Sequence, residues 1–459
     1  MERWGAWIEG SGVSGNFWSP IVNPATEEVE AEVADLTAAD VDRAIAIARR
    51  AGRDWRARDV KERHALLMRW VEHLASQAED LAQLECRQTG QPISLARQSI
   101  AAGIRLLQQC ASAVQPEVSP GLLRRRPREV AAAALPGRYP FLEAIYYAAP
   151  ALAAGSAVVL KPASHAPLTP LRLAAVASLA GIPGGALNLL SGPDSVVMAR
   201  LSEHVSADLV VYPAGPRAFG KGAMLVFADA DCDAAVEGAI NAAFVNGGQD
   251  LLGASRIFVE DALFGPFMDQ LVGLADQLLV GAPTSAEAEI GPLASRRHRE
   301  ELVQQVMECV EMGAQTALGG QRYSRRQFPQ GYYYPPTVLF HTDISWPIVE
   351  RGVFGPVVTV MSFSGLDQAL GLLGQLETPA AVSVWTRDGK RLGAIASAVP
   401  APLVTLNRHL TSVPAARLLA SDASLGRAHL DRFRPWQAVG DGEREGSEQE
   451  WRIFTRREL

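Results

Sequence analysis

Apolar residues recur at helical spacing near the start of the chain. Thr37 is a residue type that caps helices, and Val41, Ile45 and Ala48 follow it on one face. Residues 62–81 repeat this spacing of apolar side chains. The pattern predicts two amphipathic helices that pack against a sheet formed by the residues that follow them.

Short apolar runs then alternate with helical segments. Residues 157–160, 186–190 and 208–212, with the sequences AVVL, ALNLL and DLVVY, are predicted to form buried strands. Residues 168–180 and 196–202 between them are predicted helices. Because strands separated by helices usually pair in parallel, this region predicts a doubly wound sheet of the dinucleotide-binding type.

A second block of strands and helices follows in the later part of the chain. Its predicted strands are residues 225–227, 255–259, 356–363 and 403–406, and its predicted helices are residues 233–246 and 296–311. The same alternation of element types indicates a second region of α/β structure.

The composition is that of a globular protein. The chain has 459 residues, of which 48% are hydrophobic and 20% are charged, which suits two or three domains. The net charge of -7 gives no reason to expect nucleic-acid binding. The basic run of Arg124, Arg125, Arg126 and Arg128 is interpreted as a solvated or subunit-facing strand.

Cysteine spacing and targeting signals give a simple expectation. The four cysteines are far apart and have no C-x-x-C or histidine partner, so we expect free thiols instead of a disulfide or a metal site. The N-terminus does not resemble a signal peptide. The longest uncharged run, residues 144–160, contains Pro150 and is short for a membrane span, so a cytoplasmic location is expected.

The segment NGGQDLLGASR, at residues 246–256, carries the most specific resemblance. It resembles the active-site segment of the NAD(P)-dependent aldehyde dehydrogenase family, in which N-x-G-Q precedes the nucleophilic cysteine and a small-x-Ser-Arg tail follows. Further stretches similar to that family are NPATEEV (23–29), TGQP (89–92), APALAAGSAVVLKPAS (149–164), AGIPGGALNLLSG (180–192), FADADCDAAV (227–236), IGPLAS (290–295), YYYPPTVL (332–339) and VFGPVV (353–358). By this ordered set the chain is identified as a member of the family.

The resemblance implies a fold and a division into domains. It implies an α/β protein with the aldehyde dehydrogenase fold: a doubly wound Rossmann-like domain, an αβ catalytic-type domain and a small β oligomerisation element. Residues 1–114 and 132–214 would form a degenerate dinucleotide-binding-type domain, and residues 215–432 a catalytic-type domain without the catalytic cysteine. Residues 115–131 and 433–459 would form the oligomerisation hairpin, a strand and a charged tail.

The positions that carry catalysis in the family are occupied here by other residue types. Leu251 stands at the position of the cysteine, and a leucine cannot act as a covalent nucleophile. Arg138, in the string PGRYP, replaces the asparagine that stabilises the oxyanion. Arg217 replaces the glutamate base with a side chain that cannot accept a proton. The resemblance therefore predicts no catalytic residue and no metal site.

The positions that bind the cofactor are altered as well. Lys161 matches the family's ribose-binding lysine and is interpreted as vestigial, with its amine paired to a carboxylate. Ser164, where a glutamate is often found, is compatible with NADP in active relatives, and Gly352 occupies the place of a second ribose-binding glutamate. Before Arg217 the chain also lacks the length of a helix and a strand, and that helix is the one that faces the pyrophosphate. No cofactor is therefore expected, and NAD or NADP would bind only if activity remains.

These replacements predict a catalytically inactive aldehyde dehydrogenase-like protein. Its expected role is that of a structural or regulatory subunit, in a homo-oligomer or paired with an active aldehyde dehydrogenase, without nucleic acid or membrane. One alternative is a residual or altered aldehyde dehydrogenase activity that uses Cys232 or Asp250, although a packed thiol and a surface or salt-bridged carboxylate are expected there. The other alternative is a module that binds an anion or a carboxylate through Arg138 and Arg217.

Overall fold

The computed structural model of the chain describes residues 2–113, 123–125, 129–204, 209–211, 221–323, 328–421 and 436–438. Its strands, in chain order, are β1 (Glu2–Trp4), β2 (Ala6–Ile8), β3 (Ser11–Val13), β4 (Phe17–Val22), β5 (Val29–Asp35), β6 (Leu123–Arg125), β7 (Val130–Ala134), β8 (Ala157–Lys161), β9 (Leu187–Leu189), β10 (Leu209–Val211), β11 (Gly222–Val226), β12 (Ala254–Glu260), β13 (Gln315–Leu318), β14 (Thr337–Phe340), β15 (Val357–Phe363), β16 (Ala381–Trp385), β17 (Leu403–Leu406) and β18 (Trp436–Ala438). Its α-helices are α1 (Ala38–Ala57), α2 (Val60–Ser76), α3 (Ala78–Thr89), α4 (Ile93–Ser112), α5 (Pro140–Ala154), α6 (Leu168–Leu179), α7 (Ala199–Glu203), α8 (Cys232–Phe244), α9 (Asp261–Asp276), α10 (Arg296–Glu311), α11 (Pro347–Glu350), α12 (Leu366–Gln375), α13 (Gly389–Ala398) and α14 (Ser412–Ser421).

A largely parallel sheet forms the core of the first part of the chain. Its strand order is β10-β7-β8-β9-β2-β3, and the pairs from β10 to β9 are parallel. The N-terminal strand β2 pairs antiparallel with both β9 and β3. The strands predicted at residues 157–160, 186–190 and 208–212 are confirmed as β8, β9 and β10, but β7, which lies between β10 and β8, and the N-terminal strands β2 and β3 were not predicted.

A second sheet forms the core of the later part of the chain. Its strand order is β13-β14-β15-β12-β11-β16-β17, and every pair is parallel except the edge pair of β13 with β14. Strands β11 and β12 lie at its centre and are buried along almost their whole length. Because the strands point the same way, their carboxyl ends and the loops that follow lie at one edge of the sheet.

Two smaller sheets complete the described structure. Strands β1, β5 and β4 form one of them, and β18 pairs antiparallel with β6 in the other. Strand β6 lies within the segment 115–131, for which an oligomerisation role was predicted, and it pairs with a segment near the end of the same chain. The oligomerisation role of this segment and the proposed domain boundaries stay predictions.

The helices agree with the apolar spacing in most places. Thr37 caps α1, and its side chain and that of Asp40 each accept a backbone N–H of the other residue, which is the capping box. The single helix predicted over residues 62–81 is wrong, because the chain turns at Gln77 and forms α2 and α3. Gln77 has φ of -109° and ψ of 13°, and neither glycine nor proline marks the break in the sequence.

The long uncharged run belongs to the interior of the protein. Residues 144–160 include most of α5 and then enter the buried strand β8, separated by Gly155 in the left-handed conformation. Among the described residues, no helix is both long enough and apolar enough to cross a membrane.

Trp55 provides a test of the packing between α1 and α5. Its side chain is buried, and its indole N–H donates to the Leu152 carbonyl at 2.8 Å. Trp55→Ala should lower the free energy of unfolding by about 3 to 5 kcal/mol, because it creates a cavity and removes this bond. Chemical denaturation of this variant should be compared with Phe17→Ala, whose ring is 76% exposed and whose loss should cost about 0.5 kcal/mol or less. Equal effects of the two substitutions would contradict the packing described.

Candidate functional site

Glycines fix the path of the segment that resembles the family's active site. After α8, Asn246, Gly247 and Gly248 have positive φ values of 54°, 59° and 66°. A Cβ atom on Gly248 would lie 1.8 Å from the carbonyl oxygen of Gly355, so a larger residue cannot fit there. The Gly355 N–H also donates to the Gly248 carbonyl at 3.1 Å. The segment is therefore held against the loop that precedes β15.

Asp250 is a buried carboxylate at the centre of this segment. It accepts the Tyr139 hydroxyl at 2.8 Å, the Ser412 hydroxyl at 2.7 Å, and the backbone N–H groups of Ser412 and Leu252 at 2.9 Å each. Its side chain is fully buried, so the expectation of a surface position for Asp250 is wrong. Burial and the adjacent carboxylate raise the pKa of Tyr139 well above its ordinary value, which keeps the phenol protonated as a donor.

Leu251 and Leu252 follow Asp250 and are half-buried. The Leu252 carbonyl accepts from Nε2 of His409 at 2.7 Å, and the other ring nitrogen of His409 lies 2.8 Å from the Ser383 hydroxyl. A carbonyl can only accept, so Nε2 carries the proton and Nδ1 accepts from Ser383. Burial lowers the pKa of His409, which favours this neutral form. A neutral histidine therefore holds the backbone of the segment at Leu252.

Arg138 lies at the start of α5, where Glu143 organises the backbone. The Glu143 carboxylate accepts the backbone N–H groups of Gly137, Arg138 and Tyr139 at 2.7 to 3.0 Å. Gly137 has a φ of 79°, and a Cβ atom there would lie 2.4 Å from the Cβ of Ala163. The turn before α5 is thus packed against the loop after β8. This packing and the bonds to Glu143 fix the backbone from which the Arg138 side chain extends.

The Arg138 guanidinium reaches the segment that contains Leu251. Its Nη1 donates to the Gln249 carbonyl at 3.2 Å, and its carbon lies 3.8 Å from the centre of the Phe354 ring. The Phe354 carbonyl accepts in turn from Nε2 of His298 at 2.6 Å. The structure therefore brings two of the predicted positions, Arg138 and Leu251, into one site. The carbonyl that accepts from the Arg138 guanidinium belongs to Gln249, two residues before Leu251.

Lys221 is a buried amine in the same site. Its Nζ donates to the Gly248 carbonyl at 2.5 Å, and its side chain is fully buried. Burial lowers its pKa to about 7, and the nearby Arg138 and Arg256 act in the same direction, while Asp250 opposes them. The amine therefore titrates near neutral pH, so both of its protonation states are available to chemistry.

Arg256 occupies the space beside the position expected to hold a ribose-binding glutamate. Its guanidinium donates to the carbonyl groups of Val349, Glu350 and Lys221. Gly352 has a φ of 74°, and a Cβ atom there would lie 2.7 Å from Ser255 Oγ and 3.0 Å from Nη1 of Arg256. Position 352 thus has room only for glycine, and no carboxylate reaches the site from it.

Lys161 ends strand β8 and forms an ion pair. Its side chain is 2% exposed, and its amine contacts the Asp194 carboxylate and lies 2.9 Å from the Ser164 hydroxyl. Asp194 is 61% exposed. The expected pairing of this amine with a carboxylate is confirmed, and the partner is Asp194. The role of Lys161 toward a cofactor stays a prediction.

Several site residues carried no signal in the sequence. Tyr139, Ser412 and Asp194 belong to separate elements, and only the fold brings each of them to its partner. Arg217 lies outside the described residues, so its pairing with Arg138 stays a prediction. Cys232 is half-buried at the start of α8, with its sulfur 3.9 Å from the Gln270 side-chain oxygen.

Asp250→Asn tests whether the buried carboxylate holds the site together. An amide presents an N–H₂ group where the carboxylate accepts donors, so at least one donor would lose its partner. The free energy of unfolding should fall by about 1 to 3 kcal/mol, measured by chemical denaturation. Asp269→Asn, on the exposed face of α9, is the matched control and should have little effect. A similar small effect at Asp250 would contradict the role assigned to its hydrogen bonds.

Lys221 predicts a pH dependence of stability. Its pKa is about 7 in the folded chain and has an ordinary value of 10.5, so the unfolded chain binds more protons between these pH values. The buried ammonium therefore destabilises the folded chain below about pH 7. This penalty is relieved, and the free energy of unfolding rises, as the pH increases from about 7 toward 10.5. The wild type should gain up to about 1.4 kcal/mol per pH unit relative to Lys221→Met. Lys390→Met, at an exposed position, is the control, and parallel pH profiles of wild type and Lys221→Met would refute the prediction.

Comparison with known proteins shows similarity along most of the chain. It is 31% identical over 84% of its length to the betaine aldehyde dehydrogenase of Bacillus subtilis, of which the match covers 85%. It is 30% identical over 88% of its length to a 3-sulfolactaldehyde dehydrogenase of Pseudomonas putida, of which 87% is covered. The crystal structure of betaine aldehyde dehydrogenase from Staphylococcus aureus in complex with NAD+ superposes with a TM-score of 0.84, at 27% identity, over 88% of this chain and 87% of the other.

These comparisons overturn two expectations from the sequence. The hypothesis of a catalytically inactive subunit is contradicted, because the relatives are named as dehydrogenases, and its alternative of a residual or altered aldehyde dehydrogenase activity agrees better with them. The expectation of no cofactor is contradicted as well, because a close structural neighbour is a complex with NAD+. The error has a physical origin. Leu251 and Arg138 in place of the family's cysteine and asparagine change only a few reacting atoms, whereas the chain still has the parallel sheet and Lys161 at its edge.

The family assignment itself is confirmed. The sequence pattern that defines the aldehyde dehydrogenase family matches residues 7–217 and 218–418. The fold agrees with that of the Staphylococcus aureus betaine aldehyde dehydrogenase over 88% of the chain, and with that of PnpE from Pseudomonas sp. WBC-3 over 98% of it, at 26% identity and a TM-score of 0.86. The chain therefore belongs to the aldehyde dehydrogenase family.

Proposed function

We propose that the protein is an NAD- or NADP-dependent oxidoreductase that acts on aldehydes by an altered route without a thiol nucleophile. The observation that carries this proposal is the cluster of Arg138, Lys221 and Asp250 at residues 248–250, directly before Leu251. Lys221 and Asp250 are fully buried and Arg138 is half-buried beside them. The relatives of the chain are named as dehydrogenases. Burying charge is costly, so a cluster of this kind is a reasonable candidate for a working site.

The substrate proposed for this site is the hydrate of an aldehyde. Leucine at position 251 forms no thioester, so no acyl intermediate awaits hydrolysis. A hydrate already carries both oxygen atoms of the product acid. Loss of a hydride from its carbon and of a proton from one hydroxyl gives the carboxylic acid, with electrons and atoms in balance. The oxidised nicotinamide cofactor, when bound, supplies the acceptor for the hydride.

Two side chains have the properties that this reaction needs. Arg138 uses Nη1 for the Gln249 carbonyl and keeps further N–H donors, which suits it to stabilise negative charge on a substrate oxygen. Lys221, with a pKa near 7, suits the role of proton acceptor. Asp250 has its oxygens engaged by Tyr139, Ser412 and Leu252, so we assign it a positioning role.

The residues at the edge of the first sheet fit a dinucleotide in part. Lys161 lies at the carboxyl end of β8, which is where parallel sheets of this type bind nucleotides. Its amine and the Asp194 carboxylate offer a donor and an acceptor to ribose hydroxyls. Gly352 supplies no second ribose-binding carboxylate, so fewer contacts hold the nicotinamide end. Weak cofactor binding and slow turnover follow from this arrangement.

Steady-state assays test the proposal. The purified protein should reduce NAD+ or NADP+ in the presence of a small aldehyde, with betaine aldehyde and 3-sulfolactaldehyde included in the panel, measured by absorbance of the reduced cofactor. Iodoacetamide should leave the rate unchanged, because no thiol takes part. Arg138→Gln should lower kcat/KM by about a hundredfold, since a removed oxyanion donor typically costs that much. Arg297→Gln, at a position 88% exposed, is the control.

Two outcomes would refute the altered route. Absence of cofactor reduction with every aldehyde tested would refute the oxidoreductase function. Loss of activity in Cys232→Ser, with sensitivity to iodoacetamide, would show that a relocated thiol acts instead.

A further inference from the structure

The ion pair of Lys161 and Asp194 has one buried and one open member. The Lys161 side chain is 2% exposed and that of Asp194 is 61% exposed. Asp194 Oδ1 also lies 3.0 Å from the Ser164 hydroxyl. A molecule that approaches this edge of the sheet therefore meets the carboxylate of the pair, whose remaining oxygen sites face outward.

The position of this carboxylate is set by two neighbouring strands. Lys161 is the last residue of β8, and Asp194 follows the adjacent strand β9 after a short loop. The two strands are parallel, so both residues emerge at the same edge of the sheet. In parallel sheets that bind dinucleotides, an acidic residue at this edge accepts hydrogen bonds from the hydroxyls of the adenosine ribose.

The charges around the pair favour a hydroxyl over a phosphate. Two carboxylates of the described structure act on the Lys161 ammonium, those of Asp194 and Asp35. The Lys161 charge is thus already compensated. Among the described residues, His165 is the second basic side chain that acts on the Asp194 carboxylate. The phosphate of NADP carries a charge of about -1.5 to -2 and would lie beside a carboxylate, whereas phosphate sites usually present arginine.

We propose that Asp194 is the residue that selects NAD over NADP, by accepting hydrogen bonds from the adenosine ribose and repelling a phosphate on it. This proposal rests on the proposed dinucleotide-dependent function. It reverses the expectation drawn from Ser164, because the carboxylate that is missing at position 164 is supplied from position 194.

Direct binding measurements test this selection without reference to turnover. Titration calorimetry should give a dissociation constant for NADH at least about tenfold lower than that for NADPH in the wild type, since like charges in contact are unfavourable. Asp194→Asn should bring the two constants close together, with NADPH bound more tightly than by the wild type. Asp42→Asn is the control, because that exposed carboxylate pairs with Arg200 on α7 and should leave the preference unchanged.

A second measurement needs no variant. Repulsion between a phosphate and an exposed carboxylate is screened by salt. The ratio of the dissociation constant for NADPH to that for NADH should therefore fall in the wild type as ionic strength rises.

The outcomes separate this proposal from the proposed function. An equal loss of affinity for both cofactors in Asp194→Asn, or a wild type that binds NADPH as well as NADH, would overturn the role of Asp194. Absence of saturable binding for either cofactor would overturn both proposals. The expected preference without turnover of any aldehyde would support the role of Asp194 and refute only the proposed function.

Discussion

The carbonyl oxygen of Gly248 is the point on which the site depends. It accepts the N–H of Gly355 and the amine of Lys221, and so joins the end of α8, the loop before β15 and the start of β11. The contact is possible only because Gly248 has no side chain. The backbone path of the segment that resembles the family's active site is therefore set by glycine geometry.

Backbone carbonyls also explain how the interior tolerates its positive charges. Arg256 donates to three carbonyl groups, Arg138 to that of Gln249, and Lys221 to that of Gly248. Hydrogen bonds to carbonyl dipoles satisfy part of the donors, although Nε of Arg256 is buried without a partner in the described structure, and they do not cancel the charge. Burial accordingly lowers the pKa of Arg256 to about 9 and that of Lys221 to about 7. Carboxylates partly balance them: Asp250 acts on Lys221, Glu143 and Asp250 act on Arg138, and Glu377 acts on Arg256.

The apolar pattern predicted β8, β9 and β10 in the first sheet and β11, β12, β15 and β17 in the second, because buried strands leave runs of apolar residues. It missed β7, β14 and β16, which also belong to the parallel parts of these sheets. It was insufficient where structure depends on distant partners. The break at Gln77 has no local marker, and the strand β2 joins its sheet only through tertiary contacts. The burial of Asp250 by Tyr139 and Ser412 depends on elements more than a hundred residues apart.

The functional reasoning failed for a related reason. A motif compares single positions, so the replacements at Leu251, Arg138, Arg217 and Gly352 and the shortened stretch before Arg217 predicted an inactive protein. A site consists of a framework as well as reacting atoms, and the framework in this chain is similar to that of the dehydrogenases over most of its length. A comparison made position by position does not identify residues such as Asp194, whose proposed role depends on its contacts with Lys161 and Ser164.

Gly352 limits how this chain could be altered to bind a cofactor more tightly. A side chain at this position would collide with Ser255, Lys221 and Arg256, and its backbone has a conformation that disfavours any other residue type. A single substitution of glutamate here would therefore strain the folded chain unless these neighbours changed as well. A variant with stronger cofactor binding would have to gain its contacts elsewhere on the nucleotide surface.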